Sequence, residues 1–239
     1  MNWATLTFAI RTSRRTFHLL IDIHTHTFPT SDDAFHSPEE LITNSKRFGL
    51  DGICITDHDR FWEPKDVEAL TRKHDFLVLA GCEVTTEEGH ILVYGLSEYI
   101  FGMHKAAYVR ELVDEVGGAM VVAHPYRRFY RKQAHTSEEA YQEMLERACR
   151  NHVFSLVDAV EIFNGRGTDE ENHFASDIAD WFSMHTTGAS DAHAIKEVGN
   201  YATRFQQPIR DIDDLITELK AGRCSAISLR DAVPALARV

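Results

Sequence analysis

The chain has 239 residues, of which 44% are hydrophobic and 26% are charged, as in folded globular proteins rather than disordered ones. This length is sufficient for one domain with a sizeable core. The net charge of −12 argues against nonspecific nucleic-acid binding along a broad basic face, and no run of 18 apolar residues predicts a membrane span. Fourteen histidines are many for this length and require an explanation.

The first residues differ in composition from the rest. Residues 1–16 include Arg11, Arg14 and Arg15, and no acidic residue precedes Asp22. A transit peptide has this composition, and so does a loose N-terminal extension. We favour the extension and predict a single domain over residues 17–239 of a cytoplasmic protein. The four cysteines form no C-x-x-C pair and fit a reducing compartment.

Short apolar runs alternate with helix-compatible segments along the predicted domain. The predicted strands cover residues 17–23, 52–55, 76–80, 90–94, 119–123, 156–163, 186–189 and 225–229. The first predicted helix begins at Ser37-Pro38-Glu39-Glu40. The other predicted helices cover residues 64–73, 105–116, 137–150, 170–184 and 211–221. This alternation predicts an α/β fold with a mainly parallel sheet and helical crossovers, and its length fits a closed barrel.

Polar residues follow the apolar runs at the end where parallel α/β folds carry their chemistry. Six runs are followed by histidine, aspartate or glutamate. The candidates are His24, His26, Asp57, His58, Glu83, His90, His124, Asp191 and His193, with Glu161 and Asn164 after Val160. Chance would scatter such residues over both ends of the strands and over the helices.

Each candidate also has a structural interpretation. His24 and His26 lie two residues apart on a strand, so they project side by side, but an isolated H-x-H pair is a weak signal. Asp57 could cap a turn, and His124 could be held extended by the proline that follows it. Together, however, nine candidates at one rim predict a metal site.

The ordered motifs "DIHTHT", "ITDHD", "GCEVT", "GHILVYG", "VVAHP", "EIFNGR" and "SDAH" resemble those of the polymerase and histidinol phosphatase (PHP) superfamily of metal-dependent phosphoesterases. The stand-alone members are the most similar. The resemblance implies a distorted (β/α)7 barrel with the active site at the C-terminal ends of the strands. It also implies a cluster of two or three divalent metal ions.

The resemblance assigns the ligands by position. One metal would take His24, His26, Glu83 and Asp191; a second, His58, His193 and a loop residue; and a third, Glu83, His90 and His124. The best match for the loop ligand is Asp32, with Asp33 and His36 as alternatives. Asp57 would orient a histidine ligand or ligate directly.

The ligand types and the family together suggest the chemistry. Imidazole and carboxylate without thiolate suit Zn, Mn or Fe. A hydroxide that bridges two metals would then hydrolyse a phosphate ester, because metal binding lowers the pKa of water to about 7 in favourable sites. Arg127 and Arg128 follow the motif "VVAHP", Arg166 ends the motif "EIFNGR", and all three are expected to bind the substrate phosphate.

The expected substrate is a small phosphomonoester or nucleotide, with no extended nucleic-acid partner and no membrane partner. Alternative activities are histidinol-phosphate phosphatase and short-oligonucleotide exonuclease. Rival classes are a non-catalytic metal-binding module and an amidohydrolase. The first rival would have lost metal ligands, whereas every expected position here is filled. The second commonly adds a carboxylated lysine or a histidine pair on middle strands; this sequence has no lysine at those strand ends, and Glu83 and His90 fit the phosphoesterase pattern better.

Overall fold

The computed structural model describes residues 18–129 and 137–230, so the predicted extension over residues 1–16 lies outside the described residues. The strands are β1 Leu19–Thr25, β2 Gly52–Ile55, β3 Leu77–Ala80, β4 Cys82–Thr86, β5 Gly89–Tyr94, β6 Ala119–Val122, β7 Ala159–Asn164, β8 His185–Ala189, β9 Tyr201–Phe205 and β10 Cys224–Ser228. The helices are α1 Pro38–Arg47, α2 Pro64–His74, α3 Ala106–Glu115, α4 Glu138–Ala148, α5 Asp169–Phe182 and α6 Ile212–Lys220.

The strands form two five-stranded sheets, ordered β10-β9-β1-β2-β3 and β4-β5-β6-β7-β8. The fold is therefore mixed α/β. Parallel pairing joins β1 to β2, β2 to β3, β6 to β7 and β7 to β8. Antiparallel pairing joins β1 to β9, β9 to β10, β4 to β5 and β5 to β6. Closure into a seven-stranded barrel stays a prediction.

The expectation of a mainly parallel sheet is wrong, because half of these pairings are antiparallel. Only Glu87 and Glu88 separate β4 from β5, and Thr86 pairs with Gly89 across this turn. A two-residue connection can join only antiparallel strands, since a parallel pair needs a crossover of a dozen residues or more. The sequence interpretation treated Glu83 as the end of a strand and therefore missed β4. It also missed β9.

Gly81 carries the chain from the first sheet into the second. A Cβ atom at this position would lie 2.8 Å from the Tyr94 ring, so a larger residue does not fit. The hydroxyl of Tyr94 donates a hydrogen bond of 2.7 Å to the Ile23 carbonyl oxygen on β1. The close approach of Gly81 to Tyr94 and the hydrogen bond from Tyr94 to Ile23 hold β4 and β5 against β1. Ile23 directly precedes His24.

Helix α1 begins as the sequence predicts. The Ser37 side chain accepts a hydrogen bond from the backbone of Glu40, and the Glu40 side chain accepts one from the backbone of Ser37. Pro38 occupies the first helical position. The helix start ends the loop that follows β1, and this loop lies over the candidate site. Within the described ranges, no helix combines the length and the apolar content that a membrane span requires.

Replacing Tyr94 with phenylalanine tests the contact between the sheets. We expect the free energy of unfolding to fall by about 1–2 kcal/mol, because the buried Ile23 carbonyl loses a hydrogen bond. Urea denaturation measures this change. Tyr99→Phe is the control, since Tyr99 is largely exposed. Equal stability of the two variants would show that the contact contributes nothing.

Candidate metal centre

Strand ends from both sheets meet at one site. His24 lies in β1 and His26 just after it, while His58 follows β2 and His124 follows β6. Asp191 and His193 follow β8. Glu83 enters near the start of β4, next to the end of β3, and His90 lies at the start of β5. The two-residue turn brings His90 back beside Glu83, so the predicted convergence is present although β4 and β5 are antiparallel.

The Glu83 carboxylate lies at the centre and is 1% exposed. Five histidine rings surround it. Its Oε2 atom faces His24 Nε2, His26 Nε2 and His58 Nδ1 at 3.2, 3.2 and 3.0 Å. Its Oε1 atom faces His90 Nδ1 at 2.7 Å and His124 Nε2 at 2.9 Å. The Glu83 carboxylate therefore contacts every candidate histidine of the site except His193, which follows β8.

Asp191 completes this part of the site. Its Oδ1 atom lies 3.5 Å from His24 Nε2, 3.3 Å from His26 Nε2 and 3.4 Å from His193 Nδ1. Asp191 and His124 have φ angles of 51° and 29°. Non-glycine residues are rare in this region, and such strain concentrates at functional sites.

Three buried atoms in the site have no hydrogen-bond partner within the structure. They are Glu83 Oε2, Asp191 Oδ1 and His193 Nε2. Buried polar atoms are nearly always satisfied, so an orphaned set needs a missing partner. Carboxylate oxygens that face imidazole nitrogens are the donors that a divalent cation takes. The residues present therefore fit a metal centre.

Four overlapping groups place their possible ligand atoms within 4.8 Å of one another. These groups are His24–His26–Glu83–Asp191, His26–His58–His193, His58–Glu83–His90 and His24–His124–Glu161. The first group is the predicted ligand set of the first metal. His90 and His124 fall in different groups, although both contact Glu83 Oε1. The predicted set of Glu83, His90 and His124 is thus not brought together as one group.

The loop after β1 presents Asp33 to the site instead of the predicted Asp32. Asp33 Oδ2 lies 3.0 Å from His193 Nε2 and 3.6 Å from His58 Nε2, whereas Asp32 points to solvent and makes no hydrogen bond or ion pair in the described ranges. A turn at Ser31 sends the two neighbouring carboxylates in different directions. The other alternative, His36, is buried, and neither of its ring nitrogens has a hydrogen-bond partner.

Asp57 contacts the candidate ligands through the same loop. Its carboxylate accepts hydrogen bonds from the Thr27 backbone at 2.6 Å, the Ser31 hydroxyl at 2.9 Å and Trp62 Nε1 at 2.8 Å. The Ser31 hydroxyl in turn lies 3.3 Å from His26 Nδ1. Asp57 is therefore connected to His26 through the Ser31 hydroxyl. The sequence interpretation did not identify Ser31.

Glu161 and Asn164 hold the other side of the site. Glu161 Oε1 lies 3.0 Å from His24 Nδ1, and its Oε2 atom accepts hydrogen bonds from the His124 backbone and from Asn164 Nδ2, both at 2.9 Å. This contact at Nδ1 leaves Nε2 of His24 directed at the centre. The signal in the sequence is a carboxylate inside an apolar strand, which needs a buried partner.

The three predicted arginines lie at different distances from the centre. Arg127 is 11% exposed; its Nη1 atom contacts Asp191 Oδ2 and donates to Asn164 Oδ1 at 2.9 Å. Burial lowers the pKa of His193 to about 4, and the positive charge of Arg166 contributes to this shift. Arg128 is exposed, and its backbone N–H donates to Glu171 Oε1.

The histidines and carboxylates shift one another's pKa values. Burial alone would lower the pKa of His26, but the nearby negative carboxylates of Asp191 and Glu83 outweigh it and raise this pKa to about 9. The carboxylates likewise raise the pKa of His24 against the effect of burial. In Glu83 and Asp191, burial would raise the pKa, yet the surrounding histidines hold it well below its ordinary value.

A groove of about 750 Å³ opens beside His90 and His124. Its aromatic lining comes from Tyr126, Phe129 and Phe154. The Glu87-Glu88 turn also lines it. This volume lies within the range of small-molecule sites.

The fold and the site define a mixed α/β protein with a buried histidine–carboxylate centre suited to divalent metals. A family model for the PHP domain matches residues 22–187, and a PHP-associated model matches residues 169–224. The first match covers more than half of the chain. The protein belongs to the PHP domain family, as the motifs predict.

Individual relatives are distant. An uncharacterized protein of Methanocaldococcus jannaschii is 26% identical over 161 residues, 62% of this chain and 83% of that protein. The crystal structure of PsfC from Pseudomonas syringae is similar with a TM-score of 0.60 at 16% identity, covering 92% of this chain and 93% of that one. The lesion-specific endonuclease PfuEndoQ from Pyrococcus furiosus has a TM-score of 0.54 at 17% identity, covering 88% and 58%. At these identities the two structures support the fold alone.

Replacing Glu83 with glutamine tests the central carboxylate. We expect metal affinity to fall by at least about 100-fold, because an amide removes the charge that the ligand set shares. Metal titration of the full chain measures this loss. Glu111→Gln, which changes an exposed carboxylate on α3, is the control and should bind as the unchanged protein does. Equal affinity in the Glu83 variant would remove Glu83 from the ligands.

The raised pKa values predict how the metal-free protein responds to pH. A histidine with a higher pKa in the folded state stabilises the fold fully below its ordinary value of 6.5, and that stabilisation is lost as the pH rises through the folded value of about 9. We expect the free energy of unfolding to fall by roughly 1–3 kcal/mol between these pH values.

Denaturation of the chelator-treated protein across this range measures the effect. With saturating metal the histidines are already deprotonated, so the decline should disappear. A metal-free protein whose stability stays constant or increases from pH 6.5 to 9 would contradict the assigned shifts.

Proposed function

We propose that this protein is a metal-dependent phosphoesterase that hydrolyses a small phosphomonoester or nucleotide. The orphaned carboxylate oxygens of Glu83 and Asp191, which face histidine nitrogens in a buried site, are the observation that carries the proposal. The membership in the PHP domain family supports it independently.

The metals would be held by residues from both sheets. His24, His26, Glu83 and Asp191 form one set, and His58 and His193 with Asp33 form the basis of a second. None of the four groups identified among the described residues contains a cysteine, and imidazole with carboxylate suits Zn, Mn or Fe rather than Cu(I) or an iron–sulfur cluster. Divalent metals at such a site lower the pKa of bound water and polarise phosphoryl oxygens.

Protein side chains supply the remaining requirements. Glu161 keeps Nε2 of His24 directed at the centre, and Asp57 and Ser31 hold the loop that presents Asp33. Arg127 lies at the centre with a fixed positive charge, and its planar guanidinium suits phosphate oxygens. Arg166 is the second candidate for phosphate binding, because its positive charge is felt at His193.

The groove supports a substrate with an organic body rather than free phosphate alone. It is lined by His90 and His124 together with aromatic side chains, on which a planar group can stack. Between β5 and β6 the chain contains one helix, α3, and no inserted subdomain. The substrate would therefore be gripped by this groove and not by an insert.

A phosphate-release screen tests the proposal. We expect the chelator-treated protein to be inactive, and added Mn or Zn to restore release from at least one member of a set containing nucleotides, sugar phosphates and histidinol phosphate. Asp191→Asn should lower kcat/KM for that substrate by at least about 100-fold, because the variant loses a ligand charge. Asp180→Asn, an exposed change on α5, is the control.

Two results would count against the function. One is a metal-loaded protein that releases no phosphate from any of these esters. The other is activity that survives both chelation and the Asp191 replacement.

A further inference from the structure

The two oxygens of Glu83 have different surroundings. Oε2 faces His24, His26 and His58 but has no hydrogen-bond partner. Oε1 is satisfied, since His90 Nδ1 and His124 Nε2 both lie at hydrogen-bond distance from it. A third metal at this position would have to be bound by these same two nitrogens, which already contact Oε1.

Asp191 is divided in the same way. Its Oδ1 atom is orphaned and faces His24, His26 and His193. Its Oδ2 atom is taken by Arg127 Nη1 and by Asn164 Nδ2, the latter at 3.2 Å. The orphaned atoms of both carboxylates therefore face one half of the site, and the satisfied atoms face the other.

Arg127 is held firmly in the satisfied half. Its Nη1 atom also donates to Asn164 Oδ1 at 2.9 Å, and Asn164 Nδ2 is in turn held by Glu161 Oε2 at 2.9 Å. A guanidinium group keeps its charge in proteins, so this position always contains a cation. A second cation at the same carboxylate oxygen would be repelled across a poorly solvated site.

We infer that the centre holds two divalent metals in its orphaned half, and that Arg127 takes the place of a third in the half formed by Glu83 Oε1, Asp191 Oδ2, His90 and His124. The inference deepens the proposed function, on which it rests for the presence of metals. Arg127 is thus a positioning residue that sets the metal count and presents a fixed cation where the substrate groove begins.

Counting bound metal tests this inference. The full-length protein and its variants are dialysed to equilibrium against Mn²⁺, and Mn is measured by mass spectrometry. We expect two ions per chain at saturation. Arg127→Gln removes the charge at similar size and should increase the affinity for a third ion by at least about tenfold.

Two variants serve as controls. Arg128→Gln removes a neighbouring exposed charge and should leave the count at two. Arg127→Lys keeps a positive charge and should also stay at two, which keeps the test valid should the glutamine variant fail to fold. Three ions in the unchanged protein, fewer than two at saturation, a third ion in Arg127→Lys, or no third ion in a folded Arg127→Gln would each overturn the inference.

The inference and the proposed function fail separately. Phosphate release measured on the same samples decides the function. Three ions in an active enzyme would overturn only the role of Arg127, whereas two ions in a protein that hydrolyses no phosphate ester would overturn only the function.

Discussion

The site is built around one buried carboxylate, Glu83, which lies among five histidine rings. Glu83 is almost completely inaccessible, and burial of its negative charge is costly without compensating positive charge. In the metal-free protein, protonation of His24 and His26 supplies that charge. Bound divalent metals would supply it better, because they would also satisfy the carboxylate oxygens that have no hydrogen-bond partner.

Glu83 reaches this position because β4 and β5 form an antiparallel pair within the α/β fold. Gly81 lets the chain pass the Tyr94 ring, and the Glu87-Glu88 turn then returns it so that His90 lies beside Glu83. Hydrogen bonds from Tyr94 to Ile23 and from His24 to Glu161 fix β1 from both sides. The candidate ligands therefore lie in strands or within a few residues of their ends, whereas Asp33 comes from the longer loop between β1 and α1.

Strand ends and residue types predicted most of the centre, because alternation along a strand determines which side chains face the site. They could not choose Asp33 over Asp32, since the direction of each carboxylate depends on a turn at Ser31 that no periodicity encodes. They did not assign a role to Glu161, whose contacts lie 137 and 37 residues away along the chain. They also missed β4. Only Gly81 separates the end of β3 from the start of β4, so in the sequence β4 looks like a continuation of β3.

Anomalous diffraction from Mn-loaded crystals would locate the metals directly. We expect two peaks, both on the side of Glu83 Oε2 and Asp191 Oδ1, with Arg127 still next to Asp191 Oδ2. Peaks away from Glu83, or no peak at full loading, would contradict the metal centre itself. A peak between His90 and His124 would contradict the role of Arg127 while leaving the centre in place.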